Sequence, residues 1–205
     1  MVAWVNYSES TPTSIEDFLT IMNALVFNCP SSIRSIAPKK DAKTGVTTRI
    51  PIYHGVSARQ CSFRARGVNK NLLTTILAQI RRPLAKNLAY VVLEAKDDVT
   101  TTVDDIIRKT RLADPFFDVI VYQKRSDMSD TEAIYYYIRN AFAHGSFGIV
   151  QHKSEDIYVL ESKKDNTVKA QMRLKQSTLI RYIELSRMGG NQIRSMQKKK
   201  KEAHH

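Results

Sequence analysis

Tyr135-Tyr136-Tyr137-Ile138-Arg139-Asn140-Ala141-Phe142-Ala143-His144-Gly145 ends the most strongly marked helix of this chain. Its start is written at Ser129 with Glu132 three residues on, the reciprocal pairing of a capping box. Ile134, Tyr137, Ile138 and Ala141 recur at helical steps and supply an apolar face. Gly145 supplies the stop, because glycine tolerates the left-handed backbone that closes many helices. Beyond it, residues 147–151, 157–162 and 167–174 are β-rich and separated by polar turns, so they read as a small antiparallel meander. A closing helix is predicted over residues 177–188, ended by Gly189-Gly190.

Upstream the reading is helical. Ser14 starts a helix carrying Ile15, Phe18, Leu19, Met22, Leu25 and Val26, and running to about Phe27. Asn69 caps a helix bearing Leu72, Leu73, Ile76, Leu77 and Ile80, and Pro83 opens another through Leu84, Leu88 and Val92 to Glu94. Thr101 or Thr102 caps a further helix with Asp104 and Asp105 in its first turn. Residues 116–122 form an apolar run that periodicity assigns to neither strand nor helix. The expectation is a mainly α protein with a single domain over residues 1–188, a basic excursion at 31–66, the meander at 146–175, and a basic disordered tail from 189. His204-His205 resemble the remnant of a purification tag.

The 205 residues, 42% apolar and 25% charged, suit one domain with a sizeable core. No stretch approaches the roughly 18 apolar residues of a membrane span, and Met1 to Pro12 lacks the pattern of a signal peptide, so a cytoplasmic protein with no membrane partner is expected. Two cysteines, Cys29 and Cys61, exclude a disulfide framework and match no zinc pattern. With seven glycines and no glycine-rich phosphate loop, ATP or GTP use has no support, and no cofactor is expected. Asp97, Asp98, Asp104 and Asp105 are the one dense carboxylate cluster; helix capping accounts for them without a metal, so no metal site is assigned.

The net charge of +12 is unevenly placed. Residues 31–70 carry nine cations against Asp41, and the tail from Gly189 carries five against Glu202, which leaves the rest close to neutral. Concentrated charge points to a polyanion, and Lys39, Lys40, Lys43, Arg64 and Arg66 are the candidate phosphate contacts. Tyr136, one turn before Asn140, is a candidate to stack on a base.

Within the helix end, Asn140 and His144 are four apart and share a face, whereas Arg139 stands 140° from His144 and needs its long side chain or a second subunit to join them. The carbonyls of the last turn favour a protonated imidazole at His144. The plain alternative is a histidine C-cap, a surface arginine and an asparagine bonded to the preceding turn.

Arg139-Asn140-(three residues)-His144-Gly145 at the end of a long helix, before strands and a closing helix around Thr178, Leu179 and Arg181, resembles the HEPN domain family, in its abortive-infection type. The resemblance covers about residues 128–188. It implies a helical bundle that dimerises with motif helices facing each other, and a metal-independent endoribonuclease, found in toxins, toxin-antitoxin pairs and antiphage defence. By position, Arg139, Asn140 and His144 become the catalytic residues, and RNA, a second copy of the chain and a cognate antitoxin or defence partner become the expected partners. HEPN toxins silenced by nucleotidylation carry a tyrosine two residues after the histidine. Ser146 stands there, so the resemblance does not extend to that switch. A non-catalytic nucleic-acid-binding module and an interaction domain remain the alternatives.

Overall fold

The computed structural model of the chain describes residues 10–31, 34–40, 43–53, 61–81, 89–110 and 117–202. Its spine is a five-stranded sheet in the order β3-β4-β7-β6-β5, with β3 at Ala89–Leu93, β4 at Val119–Gln123, β5 at Phe147–His152, β6 at Glu155–Lys164 and β7 at Thr167–Lys175. β3 and β4 run parallel, joined through helix α3 (Val99–Thr110), and every other neighbouring pair is antiparallel. A separate two-stranded ribbon pairs β1 (Arg34–Lys40) with β2 (Thr47–Tyr53).

Period-two side chains assign the two sheet faces. Ile120 and Tyr122 of β4, Tyr158 and Leu160 of β6, and Met172 and Leu174 of β7 pack against a thick helical layer. That layer holds α1 (Ile15–Met22), α2 (Lys70–Arg81), α4 (Asp130–Ala143), α5 (Gln176–Arg187) and α6 (Gly190–Glu202). Val119 and Val121 face the other way, onto Val99 and Val103 of α3. β4 is therefore buried on both faces, which is why its sequence shows no alternation. Each fully buried isoleucine or leucine in these layers contributes about 1.5–3 kcal/mol.

The expectation of a mainly α, HEPN-like bundle with a small meander is corrected: this is an α/β fold whose mixed sheet lies between helical layers. The three strands after α4 exist, but β7 continues the sheet into β4 and β3 instead of ending a meander. The helix read from Pro83 to Glu94 is overturned at Ala89–Leu93, where Tyr90, Val91 and Val92 form β3, while residues 82–88 lie outside the described residues. A parallel partner 30 residues downstream (Ala89 opposite Val119) outweighs a local four-residue rhythm. Helix α3 begins at Val99 and is capped by Asp98, whose Oδ1 accepts from the Thr101 amide at 2.7 Å, so neither Thr101 nor Thr102 is the cap.

The segment from 190, read as a disordered tail, is helical to Glu202 and buries Ile193. Gly190 permits this docking: a Cβ there would collide with the Gly67 carbonyl, and its amide donates to the Arg66 carbonyl at 3.0 Å. Among the described residues, no helix is long and apolar enough to cross a membrane.

Candidate functional site

Both ends of α4 are fixed by local chemistry. At the start, Ser129 and Glu132 form the full capping box, the Glu132 carboxylate accepting from the Ser129 amide at 3.1 Å. At the end, the Ser146 amide reaches the Ala141 carbonyl at 2.8 Å and the Gly145 amide reaches Phe142 at 3.1 Å, with Gly145 at φ 65°. That pair of bonds is the Schellman closure, and it makes His144 the C-cap residue.

Between its ends the helix is held from below. Thr131 donates to the Leu73 carbonyl of α2 at 2.7 Å, Tyr135 to the Tyr182 carbonyl of α5 at 2.6 Å, and Tyr137 to the Gln123 carbonyl at the end of β4 at 2.9 Å. Burial pushes the Tyr137 phenol up to about 12 and raises that of Tyr135 well above its ordinary value, so both stay neutral hydrogen-bond donors. From Thr131 to Phe142 every residue is buried except Glu132, Tyr136, Arg139 and Asn140. Those four, with exposed Ala143 and His144, make one open strip along the helix.

The motif residues all lie on that strip, with unequal access. The Arg139 Nη1 donates to Asn140 Oδ1 at 3.2 Å, while its Nε is buried without a hydrogen-bond partner. Its positive charge is felt at Cys29, whose Sγ donates to the Tyr135 carbonyl at 3.6 Å. Burial pushes that thiol up to about 12, and the nearby guanidinium offsets only part of the effect. The His144 side chain is exposed, and among the described residues nothing hydrogen-bonds to its ring. One chain alone therefore brings Arg139 to Asn140 and leaves His144 apart.

The remaining predicted contacts scatter. Lys39 and Lys40 lie on β1, opposite Thr48 and Thr47, and Lys43 is exposed in the turn that follows. Arg64 is exposed, but the Arg66 guanidinium donates to the Ser186 carbonyl and ties the segment before α2 to the end of α5. Tyr136 is half-buried, with the Arg125 guanidinium 4.3 Å above its ring and Tyr137 packed edge-on at 5.3 Å. A base would meet Arg125 before it met that face of the tyrosine. Asp97 and Asp98 are turn and cap acceptors, bonded to the amides of Glu94 and Thr101.

Sequence reasoning missed a cleft of about 160 Å³ beside this strip, between α4 and the ends of β4, β6 and β7. Lys124, Arg125, Lys163, Lys164 and Lys169 line it, together with Tyr136 and Asn140 of α4. Regional charge counting hid these cations, because acids elsewhere in the same stretches cancel them. The β6–β7 turn, Asp165-Asn166 with both φ positive, and the bulge between Ser162 and Lys163 place Lys163 and Lys164 here.

Comparison with protein-family models, with curated proteins and with solved structures finds no match for this chain.

Proposed function

We propose that the protein is a metal-independent endoribonuclease of the HEPN kind that works as a homodimer through the open strip of α4. The observation that carries the reading is that Arg139, Asn140 and His144 share a strip of this helix that, among the described residues, is left partly or fully exposed. A second copy laid strip to strip would bring the partner's cation to each histidine. Cleavage then needs no metal: the 2′-hydroxyl attacks the adjacent phosphate to form the 2′,3′-cyclic phosphate while the bond to the 5′-oxygen breaks, histidine at the site takes the hydroxyl proton and supplies one to the leaving 5′-oxygen, and the arginine fork stabilises charge on the phosphate oxygens. Asn140 holds Arg139 through its Oδ1 and orients it. The reading rests on the unit of α4, β5 to β7 and α5, not on a helical bundle. Such an enzyme works in the cytoplasm, where its substrate is, and suits a toxin or antiphage effector restrained by an antitoxin or a defence partner.

The test is cleavage of total cellular RNA in excess EDTA by wild type, His144→Ala and Arg139→Ala, each first checked for fold and mass in solution. Cutting that leaves 2′,3′-cyclic phosphate ends and is absent from both variants is the expected result. Cutting that survives in either variant refutes the assignment. The second reading, a module that binds RNA without cutting it, is favoured by the partly buried, Asn140-bound state of Arg139. Its mark is salt-sensitive RNA binding by wild type with intact RNA recovered.

A further inference from the structure

The cations of the cleft beside α4 have no part in the chemistry proposed above, and among the described residues no carboxylate lines the cleft. Five cations meet around about 160 Å³. Two are matched, Lys163 by the buried Glu161 carboxylate at 2.6 Å and Arg125 by Asp127 at 2.7 Å, which leaves a surplus of three positive charges. Lys124 and Lys164 are exposed and make no ion pair among the described residues. Lys169 is held in place, its Nζ donating to Gln123 Oε1 at 2.9 Å while the same amide donates to the Ala95 and Asp97 carbonyls.

A pocket for a whole small-molecule cofactor starts near 300 Å³ and is mainly apolar. This cleft is about half that size and lined by charge, so it suits one group of a longer molecule. The Arg125 fork is taken by both Asp127 oxygens, so the three lysine ammoniums remain as point charges, and a phosphate, with several acceptor oxygens, is a group they can hold together. Asn140 lies in the cleft wall, and His144 stands four residues further along, about 6 Å in rise, so neighbouring phosphates of one strand reach both. The Arg125 guanidinium over Tyr136 adds a flat cation on which an unpaired base can stack.

We propose that this cleft is a phosphate subsite for single-stranded RNA, in which Lys124, Lys164 and Lys169 hold a backbone phosphate next to the one positioned at His144. The choice of RNA rests on the ribonuclease reading; the phosphate subsite rests on the cleft itself. The probe is a fluorescein-labelled oligouridylate of about 12 nucleotides, a length within the span of single-strand binding sites. Its anisotropy is followed from ~50 to ~200 mM salt in the His144→Ala background, where the strand stays intact. Each single-strand phosphate that is no longer neutralised lowers the salt slope by about 0.7, equivalent to about fivefold in affinity at ~0.1 M salt. The Lys124→Gln/Lys164→Gln/Lys169→Gln variant, which gives up that one phosphate, should therefore lose a slope of about 0.7 and bind roughly fivefold more weakly. Lys109→Gln, on α3, should change neither. The Lys124→Gln/Lys164→Gln pair, both at exposed positions, gives a smaller change of the same sign and serves should the triple variant unfold. Unchanged affinity and slope, or no RNA binding in the His144→Ala background, overturns the proposal. Separate assays on chains with His144 intact tell the readings apart. RNA cutting with undiminished binding in the triple variant removes the subsite alone, whereas subsite-dependent binding without cutting removes the ribonuclease.

Discussion

Replacing Gly145 by alanine tests the helix end that carries the motif. Gly145 sits at φ 65°, and a Cβ built there meets nothing within 4 Å, so the cost of the substitution is backbone strain with no collision. A left-handed residue other than glycine costs about 1–2 kcal/mol, and the stiffer unfolded chain returns about 0.4–1 kcal/mol. The net loss is about 1 kcal/mol, or a fall in Tm of about 2–4 °C for a chain of this size. Gly145→Asn should recover about half of it, since asparagine tolerates the same region. Urea unfolding and thermal melts of the three proteins measure this directly, and RNA affinity well below the melting point should be unchanged because the amide bonds of Gly145 and Ser146 remain. An alanine variant as stable as wild type refutes the left-handed closure. A loss above about 3 kcal/mol refutes the open surroundings, because strain alone does not reach it.

Three further outcomes follow from buried groups. Desolvation raises the Asp118 carboxyl above its ordinary value, although the Lys175 amide and Thr178 hydroxyl both donate to it. The folded state therefore holds that proton longer than the unfolded chain, so this group's contribution to stability falls as pH rises from about 4 to its raised value. Asp118→Asn should remove that fall in urea titrations across the window, and curves parallel to wild type would contradict the assignment. Buried Cys29, its thiol pushed up to about 12, should react with Ellman's reagent only after unfolding, whereas half-buried Cys61 reacts in the native protein; two fast thiols would be the wrong result. Tyr135→Phe deletes the hydroxyl that reaches the Tyr182 carbonyl in the core and should cost about 1 kcal/mol in chemical denaturation, with no loss meaning that the bond contributes nothing.

Local signals were legible and distant ones were not. The capping box at Ser129 and the glycine at 145 fix α4 from a few neighbouring residues, and β-rich runs between polar turns mark β5, β6 and β7 nearly to their ends. β3 escaped because what makes it a strand is β4, and the intervening residues carry no sign of the pairing. α6 escaped because its lysines suggest solvent, while its docking depends on a close glycine contact with residue 67. The candidate site divides in the same way. Asn140 and His144 are read from helical spacing, but the cleft joins cations from three stretches that only the sheet brings together.

The insertion of β7 between β6 and β4 has a kinetic consequence. β6 and β7 meet through a two-residue turn, whereas β4 reaches β7 across some 50 residues (Val119 opposite Arg173), so the hairpin closes early and the long-range pairing late. The cations of the cleft straddle that late junction, with Lys124 and Arg125 on one side and Lys163, Lys164 and Lys169 on the other. A chain still emerging from the ribosome thus carries α4 and its histidine before the cationic cleft exists, and closure of the cleft reports the last step of folding.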